Sequence, residues 1–120
     1  MDRNEMQGRT KQFALRVMSM IDHLPNSVKG RVLADQLMRS ATSVAANYRA
    51  ACRARSKKEF VAKLGIALEE ADESQLWIGL IIEGEVLPRE RLLPLEQEAD
   101  EICAILFCAW RTGRESLSKS

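Results

Sequence analysis

The sequence predicts an all-α protein, an up-down-up-down antiparallel four-helix bundle, and three observations carry that prediction. Ala, Leu, Glu and Arg, all good helix formers, are abundant in a chain of 120 residues that has only six Gly and three Pro. Apolar residues recur at three- and four-residue spacing in four segments, and no alternating strand pattern competes with them. The connections between those segments are short, which makes sequential helices antiparallel neighbours. At 46% apolar and 29% charged the composition is globular, and the length suits one domain over residues 1–120.

The first helix is expected over about 5–23, with Phe13, Val17, Met20, Ile21 and Leu24 on its apolar stripe. Pro25 ends it, because proline disfavours helix in the residue before it. Asn26 or Ser27 caps a second helix over 27–53, with Val28, Leu33, Leu37, Ala41, Val44, Tyr48 and Cys52 in line. Ser56-Lys57-Lys58-Glu59 has the form of a capping box and opens a third helix over 57–83, with Phe60, Leu64, Ala67, Ala71, Ile78 and Ile81 inward. A fourth helix is expected over 94–112, with Pro94 in its first turn and Gly113 as its stop. At 1.5 Å rise per residue the two central helices measure roughly 38 Å, so the bundle is a narrow rod.

Two stretches, Leu76–Ile82 and Ile102–Trp110, are apolar on every side. A helix apolar all round must be covered all round, which four helices cannot do for one another. Leu76, Trp77, Leu80, Ile81, Phe107 and Trp110 are therefore the expected contact surface of a homo-oligomer.

The net charge of +1 hides an asymmetry. Residues 1–60 hold twelve Lys/Arg and five Asp/Glu, a balance of +7, and residues 61–120 hold six and twelve, a balance of −6. Such a chain either pairs acidic helices with basic ones or presents a basic surface to a polyanion. The strongest local feature is Arg49, Arg53, Arg55, Lys57 and Lys58, five cations with no acid until Glu59, at the tip joining the second and third helices. Cations gathered there are the expected contact for phosphates of RNA or DNA.

Other chemistry is sparse. His23 is the single histidine, and Cys52, Cys103 and Cys108 form no CxxC pair. Cys103 and Cys108 are five apart, on different sides of one helix, so they do not chelate one ion. Glu69, Glu70, Asp72 and Glu73 read as a solvated face, and no cofactor, metal or catalytic group is expected. The polar start MDRNEMQGRT and the absence of a long apolar run lead us to expect a cytoplasmic protein without a membrane partner.

Gln36-Leu37-Met38-Arg39-Ser40-Ala41-Thr42-Ser43-Val44-Ala45-Ala46-Asn47-Tyr48-Arg49, followed by Ala51-Cys52-Arg53-Ala54 and Phe60, resembles the central signature of the bacterial four-helix-bundle proteins encoded in intervening sequences of large-subunit ribosomal RNA genes. Ile66-Ala67-Leu68-Glu69-Glu70-Ala71-Asp72-Glu73-Ser74 with Trp77 is similar to that family's second signature. The resemblance runs from about residue 10 to 112. It implies a ring-like assembly, a pentamer, and distant kinship with the accessory proteins of diversity-generating retroelements, basic pentamers that bind nucleic acid and a reverse transcriptase. This chain departs from the family's pattern at Ala50 and Glu69, where an acidic residue and a lysine are common.

Asn47, Glu70 and Glu73 also match family positions. A buried polar residue can fix one packing register, so a hydrogen bond from Asn47 across to Glu70 or Glu73 is the expected specifying contact. The functional expectation is a non-enzymatic oligomer, with itself as first partner and RNA or DNA at the basic tip. The alternative is a purely structural assembly, or an adaptor for another protein, with no nucleic-acid binding.

Overall fold

Nearly all of residues 1–119, which the computed structural model describes, belong to four helices. These are α1 Arg3–Ile21, α2 Val28–Cys52, α3 Lys57–Glu83 and α4 Arg89–Ser118. Among the described residues there is no strand. Side-chain caps set the first three starts: Asp2 Oδ1 accepts from the Glu5 amide at 2.8 Å, Ser27 Oγ from Gly30 at 3.2 Å, and Ser56 Oγ from Glu59 at 3.1 Å. Glu59 reaches back one residue further than a capping box requires, and its Oε2 accepts from the Arg55 amide at 3.1 Å. At the end of α3, Gly84 is still right-handed and Glu85 takes the left-handed turn, with φ of 53°. The Val86 amide then bonds to the Ile81 carbonyl at 3.0 Å, closing the helix end.

The fourth helix corrects the sequence expectation at both ends. It begins five residues before Pro94, which lies inside it, and it runs past Gly113 to Ser118. Pro94 forgoes one amide bond, but it stands on the exposed side while Leu92 and Leu95 beside it are buried in the core. Gly113 serves a lateral purpose: a Cβ there would stand 2.8 Å from Val61 Cγ2, so glycine lets α4 close onto α3.

Each helix packs on its neighbours in chain order, α1 on α2, α2 on α3 and α3 on α4, while α4 returns only lightly to α1. The result is a rod of 50 × 23 × 20 Å. Phe13 and Val17 from α1, Leu37 and Val44 from α2, Leu64 and Ile78 from α3, and Leu92, Ile102 and Leu106 from α4 fill its axis. Burial of such side chains contributes roughly 1.5–3 kcal/mol each and is the main stabilising force. The thin α1–α4 seam is closed by charge, with Arg9 gripping Glu98 through two bonds of 2.8 and 2.7 Å. That pairing lowers the Glu98 pKa and raises that of Arg9.

Two further expectations change. The polar link between α2 and α3 exists, but Asn47 does not make it. Asn47 Nδ2 donates to the Ser43 carbonyl and to Ser43 Oγ, both at 2.9 Å and both within α2. Glu70 and Glu73 instead hold Arg39, Glu70 at 2.9 Å. Beneath that ion pair the wholly buried Ser40 and Ser74 hydroxyls meet at 2.8 Å. The link therefore sits two helical turns from Asn47, where small hydroxyls let the helices approach. Ile81, expected at a subunit contact, is wholly buried in the core of its own chain. Helix α3 presents Ile78, Ile81 and Ile82 inward, so its outer apolar surface is carried by Ile66, Leu76 and Leu80.

Candidate functional site

The antiparallel topology sorts charge along the rod. One end gathers the α1 start, the α2–α3 turn and the α4 finish, with Arg3, Arg49, Arg53, Arg55, Lys57, Lys58, Arg111 and Arg114. The carboxylates at that level are Asp2, Glu5, Glu59 and Glu115. The acids of the second half concentrate at the waist instead, where they hold cations: Glu98 and Glu101 take Arg9, and Glu70 and Glu73 take Arg39. Arg39 in turn keeps the Glu73 carboxyl below the usual carboxylate range. Helix-to-helix pairing and a free basic surface therefore coexist, at different heights of the same molecule.

All five cations expected at the tip are exposed, and among the described residues none of them forms an ion pair. Arg49 stands in the last turn of α2 and Arg53 is its C-cap, with the Arg53 amide donating to the Arg49 and Ala50 carbonyls. Arg55 lies in the turn, its backbone held by Glu59. Lys57 Nζ donates to Ser116 Oγ at 2.7 Å, a neutral partner that orients the ammonium without cancelling its charge. Lys58 follows it in the first turn of α3.

Two depressions flank the turn. A groove of about 730 Å³ lies between the turn and the α4 extension, with Arg3, Arg55 and Lys57 on its rim. A smaller furrow of about 490 Å³ on the other side is lined by residues that include Arg49, Arg53, Arg55 and Glu59. Below them Tyr48 is buried, which pushes its pKa up to about 12, with Cys52 adding to the shift, so the hydroxyl stays neutral. Burial likewise raises the Cys103 thiol, which lowers its thiolate fraction.

Aromatic side chains interleave with arginines at this end, which the spacing of the tip motif did not show. Arg3 lies 4.4 Å over the Phe60 ring, Arg111 5.4 Å over Phe107 and Arg114 5.2 Å over Trp110. Phe107 and Trp110 are 6.2 Å apart. These partners come from both termini, and an α4 ending at 112 would omit Arg114. Leu76, Leu80 and Phe107 are exposed as expected of contact residues, at 54%, 43% and 41%, while Trp77 and Trp110 are half-buried. Trp77 Nε1 donates to Glu73 Oε1 at 3.3 Å, and Trp110 fills the space beside Gly65. Among the described residues no three His, Cys, Asp or Glu side chains are grouped to hold a metal ion, and no helix is long and apolar enough to cross a membrane.

An up-and-down four-helix bundle with one cationic, aromatic-edged end defines the class of protein. The family model described as the 23S rRNA-intervening sequence protein matches residues 2–108, and the chain belongs to that family. It is also similar to a crystal structure of a protein with unknown function from the S23 ribosomal protein family of Bacteroides thetaiotaomicron VPI-5482. The two share 34% identity with a TM-score of 0.84, over 92% of this chain and 99% of that one. No curated protein matches the chain.

Proposed function

We propose that the chain is a non-enzymatic scaffold of the cytoplasm that assembles with copies of itself, as a pentamer by the family resemblance, and binds nucleic acid through Arg49, Arg53, Arg55, Lys57 and Lys58. The observation that carries this reading is the clustering at one end of five exposed cations, none of them in an ion pair among the described residues, while the waist carboxylates hold Arg9 and Arg39. A protein that used its charge only to align helices would pair the tip as it pairs the waist. Phosphates supply the missing counter-charge, and each one neutralised releases condensed counterions.

Self-assembly is supported by apolar side chains that one copy leaves in water. Leu76 and Leu80 on α3 form one exposed patch and Leu15 and Met18 on α1 another, and Phe107 on α4 is exposed as well. Two different patches favour a head-to-tail contact, which closes into a ring when the rotation allows. The same surfaces favour the second reading, a protein adaptor whose basic end plays no part. Light scattering combined with an RNA mobility shift over a salt series separates the two. A multimer whose RNA shift fades with salt and with Arg53→Ala plus Lys57→Ala supports the proposal, and a monomer without a shift overturns it.

A further inference from the structure

The larger groove at the cationic end differs in kind from the furrow beside it. Its floor is made of the smallest side chains, Ala51, Ala54, Ala109 and Gly113, and its volume of about 730 Å³ is within the range of small-molecule sites. Three cations, Arg3, Arg55 and Lys57, stand over that apolar floor, and among the described residues no carboxylate lines it. The furrow, by contrast, contains Glu59 and is smaller. A ligand complementary to the groove joins a concentrated negative charge to a flat apolar body.

We propose that this groove is a nucleotide site which takes a terminal phosphomonoester on Arg3, Arg55 and Lys57 and lays the base on the alanine floor beside Phe60. A phosphomonoester carries a charge of about −1.5 to −2 near pH 7, whereas a phosphodiester inside a strand carries one, so three cations lining one groove match the former better. The Arg3 guanidinium, 4.4 Å over the Phe60 ring, is a planar cation already stacked on an aromatic face, and such a pair extends onto a heterocycle. Lys57, steered by Ser116 at 2.7 Å, is held at the groove wall. The ligand is either a free mononucleotide or the phosphorylated end of a strand whose backbone follows Arg49 and Arg53 in the furrow. The strand-end form rests on the nucleic-acid reading above, and the mononucleotide form does not.

Cys108, an exposed thiol lining the groove, reports occupancy. Calorimetry of the full chain with adenosine 5′-monophosphate, adenosine and inorganic phosphate is paired with the alkylation rate of Cys108, read by peptide mass spectrometry. A short RNA carrying a 5′-phosphate, a 3′-phosphate or neither completes the series. The monophosphate is expected to bind about tenfold more tightly than adenosine or phosphate alone and to protect Cys108, and Arg3→Ala weakens it about tenfold. Arg53→Ala, outside the groove, leaves mononucleotide binding unchanged and weakens the RNA. If RNA binds equally with and without a terminal phosphate and Cys108 reacts at its free rate, the groove assignment is overturned and the nucleic-acid reading survives. If the monophosphate protects Cys108 and no RNA binds, the groove stands and the nucleic-acid reading falls. If neither ligand binds, both fall.

Discussion

Replacing Gly30 by alanine places a methyl group against backbone that has nowhere to go. An added Cβ would overlap the Pro25 carbonyl oxygen and stand 2.9 Å from its carbon and 3.1 Å from Pro25 Cγ. Gly30 is buried in the first turn of α2, and its amide already bonds to the capping Ser27 hydroxyl. The α1–α2 connection must therefore move as a unit, or the cap must break. Overpacking of this kind costs typically 1–3 kcal/mol, and losing a cap costs about 1 kcal/mol. Helix propensity returns at most about 1 kcal/mol for glycine to alanine. The net expectation is a loss of about 2 kcal/mol, which at about 2.1 cal/mol/K per residue lowers Tm by roughly 8 °C. Gly8 supplies the control, because a Cβ there meets nothing within 4 Å in the middle of α1. Gly8→Ala should raise Tm by about 3 °C, from about 0.8 kcal/mol of propensity. Thermal unfolding followed by far-ultraviolet circular dichroism, with all proteins at one concentration, reads both. If Gly30→Ala is as stabilising as Gly8→Ala, the close approach between Pro25 and α2 is wrong.

Three further perturbations test other parts of the fold. Glu85, with φ of 53°, occupies a conformation that suits glycine, so Glu85→Gly should stabilise by about 1 kcal/mol in urea denaturation. Ser40→Ala and Ser74→Ala should each cost about 1 kcal/mol. The double replacement should cost less than their sum, because the bond between the two hydroxyls is lost in each single replacement and only once in the double, and a strictly additive cycle would refute the coupling. Glu98→Gln removes the seam pair with Arg9 at a cost of about 1 kcal/mol near neutral pH. Because the folded-state pKa of Glu98 is lowered, its contribution is present above the unfolded carboxylate value near 4.3 and is lost as pH falls through the folded value. Urea midpoints of Glu98→Gln and the unaltered protein should thus draw together as pH falls from the unfolded carboxylate value through the lower folded one, and a gap that does not narrow on acidification would exclude this cause.

Much of the bundle was legible because its local signals agree with its packing. Ser27 and Ser56 cap the helices they were expected to cap, so α2 and α3 begin and end within a residue or so of prediction. Pro94 and Gly113 misled because residues that usually punctuate a helix are here absorbed by tertiary contacts, with Leu92 and Leu95 beside one and Val61 against the other. Ile81 misled because an apolar run does not say how wide its core face is. The tip cations were visible as a motif, whereas Arg3, Phe60, Arg111 and Arg114 join them only through the meeting of three chain segments. Asn47 looked like the polar specifier of the bundle because of its type, but the small hydroxyls of Ser40 and Ser74 suit the close α2–α3 approach that they occupy.

The salt dependence of RNA affinity, measured by fluorescence anisotropy on the intact chain and on Arg53→Ala with Lys57→Ala, tests the cationic end most directly. Engagement of five phosphates of a single strand predicts a slope of log K against log salt of about −3.5, falling in magnitude by about 1.4 when two cations are removed. A slope near zero, or one that the double substitution leaves unchanged, contradicts a nucleic-acid role for Arg49, Arg53, Arg55, Lys57 and Lys58.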